Sequence, residues 1–132
     1  MREVRVLRTW EEKSILNKEE LEEEYFYFDR ELLNRQSYVV VVEGDTVVGI
    51  AAFYEESIWA SNAFSIGFFE THADHRQRGI GKLLVERFYQ FANEEGKVAV
   101  LNSGYAPDGL KWLRPLLHTT ADRYPNIDFS EF

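Results

Sequence analysis

Two runs of apolar and β-branched residues, Tyr38 to Glu43 and Thr46 to Tyr54, are separated by Gly44-Asp45 and limit the available folds more than any other feature. Gly-Asp between two strand-like runs reads as a tight hairpin. Val39, Val40, Val41 and Val42 follow one another with no polar alternation, so the strand they form must be covered on both faces. That demand excludes a sheet with one face in water. Gly49, inside the second run, marks a bulge or a point that another group approaches closely.

The rest of the chain supplies the covering helices. Glu3 to Arg8 reads as a strand, and Thr9 with Glu12 forms a capping box that opens a helix at Trp10. A second box, Asn17 with Glu20, opens a longer helix from Lys18 to about Asn34, with Leu21, Tyr25, Phe28 and Leu32 on its core face. Glu22, Glu23 and Glu24 then form a solvated face. Phe26 and Tyr27 lie off the stripe, as packing residues or as lining for an acceptor pocket. Glu55 to Asn62 reads as a loop and Ala63 to Thr71 as a strand. A helix follows from Gly79 to Glu95, carrying Ile80, Leu83, Leu84, Phe88, Phe91 and Ala92 on one side and ended by Gly96. Val98 to Asn102 is the next strand. Beyond it, Asp108 caps a short helix that Pro115 breaks or kinks, Leu116 to Arg123 adds a further helical turn, and Tyr124 to Phe129 forms an edge strand or an extended tail. The order gives an α/β fold: a mixed, largely antiparallel sheet with helices on both faces and a C-terminal part that is shortened or atypical. At 132 residues, a single domain over 1–132 is expected.

Composition removes several chemistries. There is no cysteine, hence no disulfide, thiolate nucleophile or cysteine-based zinc site. No apolar run has the length of a membrane helix and the N-terminus lacks a signal-peptide core, so a cytoplasmic, soluble protein is expected. A net charge of −8 argues against broad binding to nucleic acid or anionic membrane and suits a cationic partner such as an amine.

The chemistry-bearing stretch is Phe68 to Leu84, a strand that turns through Asp74-His75-Arg76-Gln77-Arg78 into a helix opened by Gly79 and Gly81. Helix N-termini present unpaired N–H groups and a partial positive charge, which is a site for an anion such as a phosphate. Glycine lets a ligand approach the backbone. A P-loop is excluded, because Gly81-Lys82 is followed by Leu83 and Arg76 stands where the first glycine is needed. A dinucleotide fingerprint fails at Leu84, where it needs a third glycine. His72 and His75, with Asp74, are turn residues rather than a metal site, since no further ligand cluster accompanies them.

Arg-x-x-Gly-x-Gly at Arg76, Gly79 and Gly81, after a strand and opening a helix, resembles the pyrophosphate-binding motif of the GNAT superfamily of N-acetyltransferases. The element order from residue 3 to about 113 resembles that family too. The resemblance implies acetyl-coenzyme A as co-substrate. The backbone of Gln77, Arg78, Gly79, Ile80, Gly81 and Lys82 would cradle the pyrophosphate, Arg76 and Arg78 would flank it, and main-chain groups of Phe69, Glu70 and Thr71 would pair with the pantetheine arm. An amine on a small molecule or a protein would be the acceptor and attack directly.

Family members often carry a glutamate or histidine at positions matching Ser65 or Gly67, and a tyrosine in a region matching Leu110 to Leu117. This chain has neither. The catalytic candidates are therefore Glu70, which alternation points away from Ser65 unless a bulge intervenes, Tyr105 (with Tyr124 a second tyrosine) and Asn102, which can hold a water or a carbonyl. The alternative is a coenzyme A-binding or protein-interaction module of the same fold without catalysis. A second copy could supply a missing sheet edge, giving a homodimer.

Overall fold

A computed structural model describes residues 2–56, 62–76, 78–101, 107–124 and 129–131, with the backbone alone at 107–110 and 129–131. The strands are β1 (Arg2–Leu7), β2 (Ser37–Glu43), β3 (Thr46–Tyr54), β4 (Ala63–Thr71), β5 (Val98–Leu101) and β6 (Phe129–Glu131), and the α-helices are α1 (Glu19–Glu24), α2 (Ile80–Glu94) and α3 (Pro107–Ala121). All six strands form one sheet in chain order. β1 to β4 are antiparallel, while β5 runs parallel to β4 and β6 parallel to β5.

Both faces of the valine strand are covered. Val39 and Val41 pack with α2 and α3, in a core that includes Phe53, Phe64, Leu84, Phe88 and Leu117. Val40 and Val42 face the N-terminal segment, among Leu16, Leu21, Tyr25, Phe28 and Leu33. Pairing shifts between Val41 and Val42, which leaves Val48 as the bulged residue of β3 next to Gly49. Gly49 also meets the second expectation: a β-carbon there would lie inside contact distance of Ile80 Cγ2 and 3.2 Å from Leu84 Cδ1. The first turn of α2 therefore rests on the bare backbone of β3.

The N-terminal helices are shorter than their patterns imply. The Thr9 and Glu12 box forms, with Glu12 N–H donating to Thr9 Oγ1 at 3.1 Å and Thr9 N–H to Glu12 Oε1 at 2.8 Å, but it leads into a 3-10 helix at Glu12–Leu16. The helix expected over Lys18 to Asn34 breaks after Glu24, and Asn17 does not cap it. Tyr25 is extended, and the N–H groups of Phe26 and Tyr27, which a continuing helix would use internally, donate instead to Glu70. A 3-10 turn at Arg30–Leu32, capped by Asp29, resumes the winding in a new phase that buries Leu33 in place of Leu32.

The C-terminal region also differs from expectation. α3 is one helix of 15 residues in which Pro115 is interior, and Pro107 rather than Asp108 opens it. Leu113 and Leu117 turn one face into the core, which offsets a backbone hydrogen bond lost at Pro115. β6 covers the outer edge of β5, so this chain closes that edge itself.

At the far end of the sheet Arg8 joins three elements, pairing with Glu55 and with Glu95 and stacking over Phe91 at 5.1 Å. Burial would raise the Glu55 pKa, but hydrogen bonds from Arg8 and Ser37 outweigh it and hold the carboxyl below its ordinary value of 4.5. A carboxylate with a depressed folded pKa stabilises above its unfolded pKa, and that contribution fades as the pH falls through the folded value. Wild type is therefore expected to exceed Glu55→Gln in urea-denaturation stability at pH 7 by up to about 1 kcal/mol, with the gap closing below the ordinary carboxylate range. Gly49→Ala, by pushing α2 off β3, is expected to cost about 1–3 kcal/mol in the same measurement.

Candidate functional site

The site grows from two departures of β4 from regular pairing. Among the described residues, Ala63, Phe64 and Ser65 alone pair with β5, while β4 continues to Thr71. From Ile66 onward its edge on the β5 side has no ladder partner among the described residues, leaving main-chain donors and acceptors for a ligand. Between Ala52 and Phe53 the pairing with β3 shifts, so Gly67 is a bulged residue. The bulge changes the parity of the strand. Phe64, Ile66 and Phe69 face α2, whereas Phe68 packs on the opposite core and Glu70 reaches the N-terminal segment. Glu70 thus shares a face with Ser65, because the bulge that would reconcile them is present.

Glu70 is engaged structurally. Its carboxylate accepts from Phe26 N–H at 2.8 Å and Tyr27 N–H at 2.9 Å, holding the break after α1 against β4. At about 3.3 Å per residue it stands roughly 10 Å along the strand from the bulge. The latch displays an aromatic pair: Phe26 is 86% exposed, and Tyr27 lies between it and Phe68, with centroids 4.9 and 6.1 Å away. Asn102 and Tyr105 lie outside the described residues, as does Gln77.

β4 runs into a turn held by hydrogen bonds at His72. His72 N–H donates to Val48 C=O at 3.0 Å, and His72 Nδ1 accepts from Asp74 N–H at 3.1 Å. Gly79 then adopts φ 78°, a left-handed conformation that favours glycine, and starts α2. A β-carbon at Gly79 would meet nothing within 4 Å, so the backbone there is open to a ligand. Gly81 serves another purpose. A β-carbon on it would stand 2.7 Å from Trp112 Cζ3, so this glycine admits the α3 tryptophan.

The cations divide in the same way. Arg78 is already paired, with Glu43 at 3.3 Å and His75 Nδ1 at 2.7 Å, and Arg2 bonds both Glu43 and the Arg78 carbonyl. The Arg2 hydrogen bond and the charges of Arg78, Arg2 and His75 hold Glu43 below the usual carboxylate range. Arg76 is exposed and has no ion-pair partner among the described residues, and Lys82 is exposed with Glu86 4.0 Å away. These two side chains and the first-turn N–H groups of α2 are what an anion would meet.

A buried polar group at the bulge had no sequence signal. Gln36 precedes β2 and is 4% exposed; its Oε1 accepts from Tyr38 Oη–H at 3.0 Å and its Nε2 donates to Tyr54 Oη at 3.2 Å. The same Nε2 lies 3.3 Å from where a Gly67 β-carbon would be. Tyr54 faces Ser65 in the β3–β4 register. Burial pushes the Tyr38 hydroxyl pKa well up, keeping it a neutral donor.

The acetyltransferase (GNAT) family model matches residues 4–106, which takes in β1 to β5, the split between β4 and β5, and the turn into α2. The chain belongs to the GNAT acetyltransferase family. No curated protein sequence matches the chain significantly. Solved structures share the fold. An aminoglycoside acetyltransferase from an uncultured soil metagenomic sample, solved with trehalose, is 21% identical over 87% of this chain and 86% of that one, with a TM-score of 0.63. A ribosomal-protein-alanine N-acetyltransferase from Brucella melitensis biovar Abortus is 21% identical over 88% and 90%, with a TM-score of 0.62. A Bacillus anthracis protein assigned as a streptothricin acetyltransferase, solved with acetyl coenzyme A, is 18% identical over 70% of this chain and 53% of that one, with a TM-score of 0.55.

Within this GNAT chain the Glu70 latch is testable apart from activity. Glu70→Ala should leave the Phe26 and Tyr27 amides without their acceptor, a loss of about 1–3 kcal/mol. Amide hydrogen exchange at those two residues should accelerate at least about fivefold, since 1.4 kcal/mol is a factor of ten, while the β2 and β3 amides stay protected.

Proposed function

We propose that the protein is an N-acetyltransferase that moves an acetyl group from acetyl-coenzyme A to a primary amine by direct attack. One observation carries this reading: the β4 edge, without a ladder partner beyond Ser65 among the described residues, leads straight into an open, cationic helix N-terminus. The residues present fit the cofactor. The backbone of Phe69, Glu70 and Thr71 has no ladder partner on the β5 side among the described residues and would suit an extended arm, the N–H groups of Ile80, Gly81 and Lys82 lie in the first turn of α2, and the exposed side chains of Arg76 and Lys82 would meet a pyrophosphate. Gly79 contributes by its conformation and by the open space above it. Bound acetyl-coenzyme A would supply the activated acyl group, and the chain would supply orientation and exclusion of water.

The acceptor side carries charge of the sign an amine needs. Glu19, Glu20, Glu22, Glu23 and Glu24 lie in α1, next to the latched aromatic turn, which favours a cationic small molecule or a basic protein segment. The structural neighbours that act on aminoglycosides and on a ribosomal protein span both choices. A second reading, a coenzyme A-binding module without turnover, is favoured by Gly67 lacking a side chain and by Glu70 being committed to the latch.

Calorimetric titration with coenzyme A tests the binding claim. Wild type should bind, and Arg76→Ala with Lys82→Glu should weaken binding at least about tenfold through lost phosphate contacts, with an unchanged circular dichroism spectrum. Gly81→Glu, which must also expel Trp112, should abolish binding. A wild-type chain that shows no heat with coenzyme A rules the reading out. Thiol release from acetyl-coenzyme A with a panel of amines separates the enzyme from the module, which would bind and turn over nothing.

A further inference from the structure

Gln36, Tyr54 and the bare position at Gly67 form a buried polar corner at the vertex of the split between β4 and β5. The fold alone does not account for it. Buried polar groups are costly unless their hydrogen bonds are made. Here the hydrogen-bond direction is set from one end, because Tyr38 donates to Gln36 Oε1 and so turns the amide nitrogen toward Tyr54 and Gly67. One amide hydrogen goes to the Tyr54 oxygen. Among the described residues, neither the second Gln36 amide hydrogen nor the Tyr54 hydroxyl hydrogen has an acceptor, although Gln36 is 4% exposed.

The free groups converge on one place. Nε2 of Gln36 is 3.3 Å from the missing β-carbon of Gly67, Tyr54 is half-buried across from Ser65, and among the described residues the β4 edge has no β5 partner beyond Ser65. All of these residues lie on the face that carries Phe68 and Glu70, away from α2. No carboxylate or histidine points into the corner from β4, because positions 65 and 67 are serine and glycine.

Resting on the acetyltransferase reading, we infer that Gln36 and Tyr54 form the subsite for the reacting nitrogen of the acceptor, a primary amine entering in its neutral form above Gly67. Tyr54 is the residue that touches the nitrogen, through the lone pair that Gln36 leaves open. Gln36 is a positioning residue that fixes the phenol. As the nitrogen gives its proton to the Tyr54 oxygen, Tyr54 gives its own hydrogen to a water at the half-exposed edge, so the phenol stays neutral and one proton passes to solvent. The corner thereby replaces a carboxylate base by a relay.

The test combines catalysis with a readout that needs no turnover. In the complex with coenzyme A, which has no acyl group to give, the Gln36 side-chain amide resonances, identified by their loss in Gln36→Glu, should shift when a panel of primary amines including propylamine is added. That shift should disappear in Tyr54→Phe. In turnover, Tyr54→Phe should lower kcat about 10²-fold with KM for acetyl-coenzyme A unchanged. Gln36→Glu, which keeps the size of the side chain but removes the amide donor that fixes the phenol, should lower kcat as well, again with KM for acetyl-coenzyme A unchanged.

Unaltered kcat in Tyr54→Phe, or amide resonances that no amine moves while coenzyme A is bound, overturns the subsite and leaves the cofactor reading standing. Absence of coenzyme A binding by wild type overturns both.

Discussion

The seating of α2 on the bare backbone at Gly49 sets the geometry of the turn that joins β4 to the helix. Ile80 and Leu84 occupy the space a side chain would fill, so the first turn of the helix is drawn onto β3 at the level where β4 ends. The left-handed Gly79 lets the chain make the sharp entry that this height requires. Trp112 closes onto Gly81 from α3, stacking the second helix on the first. Two glycines thus serve packing and one serves the turn, and the exposed helix N-terminus is the product of all three.

The second constraint is the bulge at Gly67. It bends β4 where its partnership with β5 stops, and it changes which side chains share a face. Glu70 moves to the side of the N-terminal segment and accepts two backbone N–H groups there, which ends the helical run after Glu24. The catalytic question and the shape of the N-terminal segment therefore have one origin. A carboxylate that could have been a base is committed to a backbone latch, and the polar groups near the bulge come from β3 and from the residue before β2.

Much of the framework was legible because its signals are local. The hairpin at Gly44-Asp45, the bounds of β3 and β4, the amphipathic stripe of α2 and the glycine at its end follow from alternation, period and turn chemistry within a few residues. Readings that failed had a local pattern overruled at a distance. Leu21, Tyr25, Phe28 and Leu32 keep helical spacing, yet Glu70 lies 44 residues from Phe26 and captures its N–H. Pro115 reads as a stop, yet burial of Leu113 and Leu117 carries the helix through it.

By itself the sequence determined the layered α/β class, since an unbroken valine strand has no stable place except between two apolar covers, and it located the turn from β4 into α2, since the left-handed glycine that opens the helix is a local signal. Tertiary structure alone decided which groups meet at the vertex of the split. Gln36, Tyr38, Tyr54 and Gly67 carry no common period or motif, and they converge because β-ladder register and a single bulge place them side by side. Register is fixed by the whole sheet, so no window of the chain contains it.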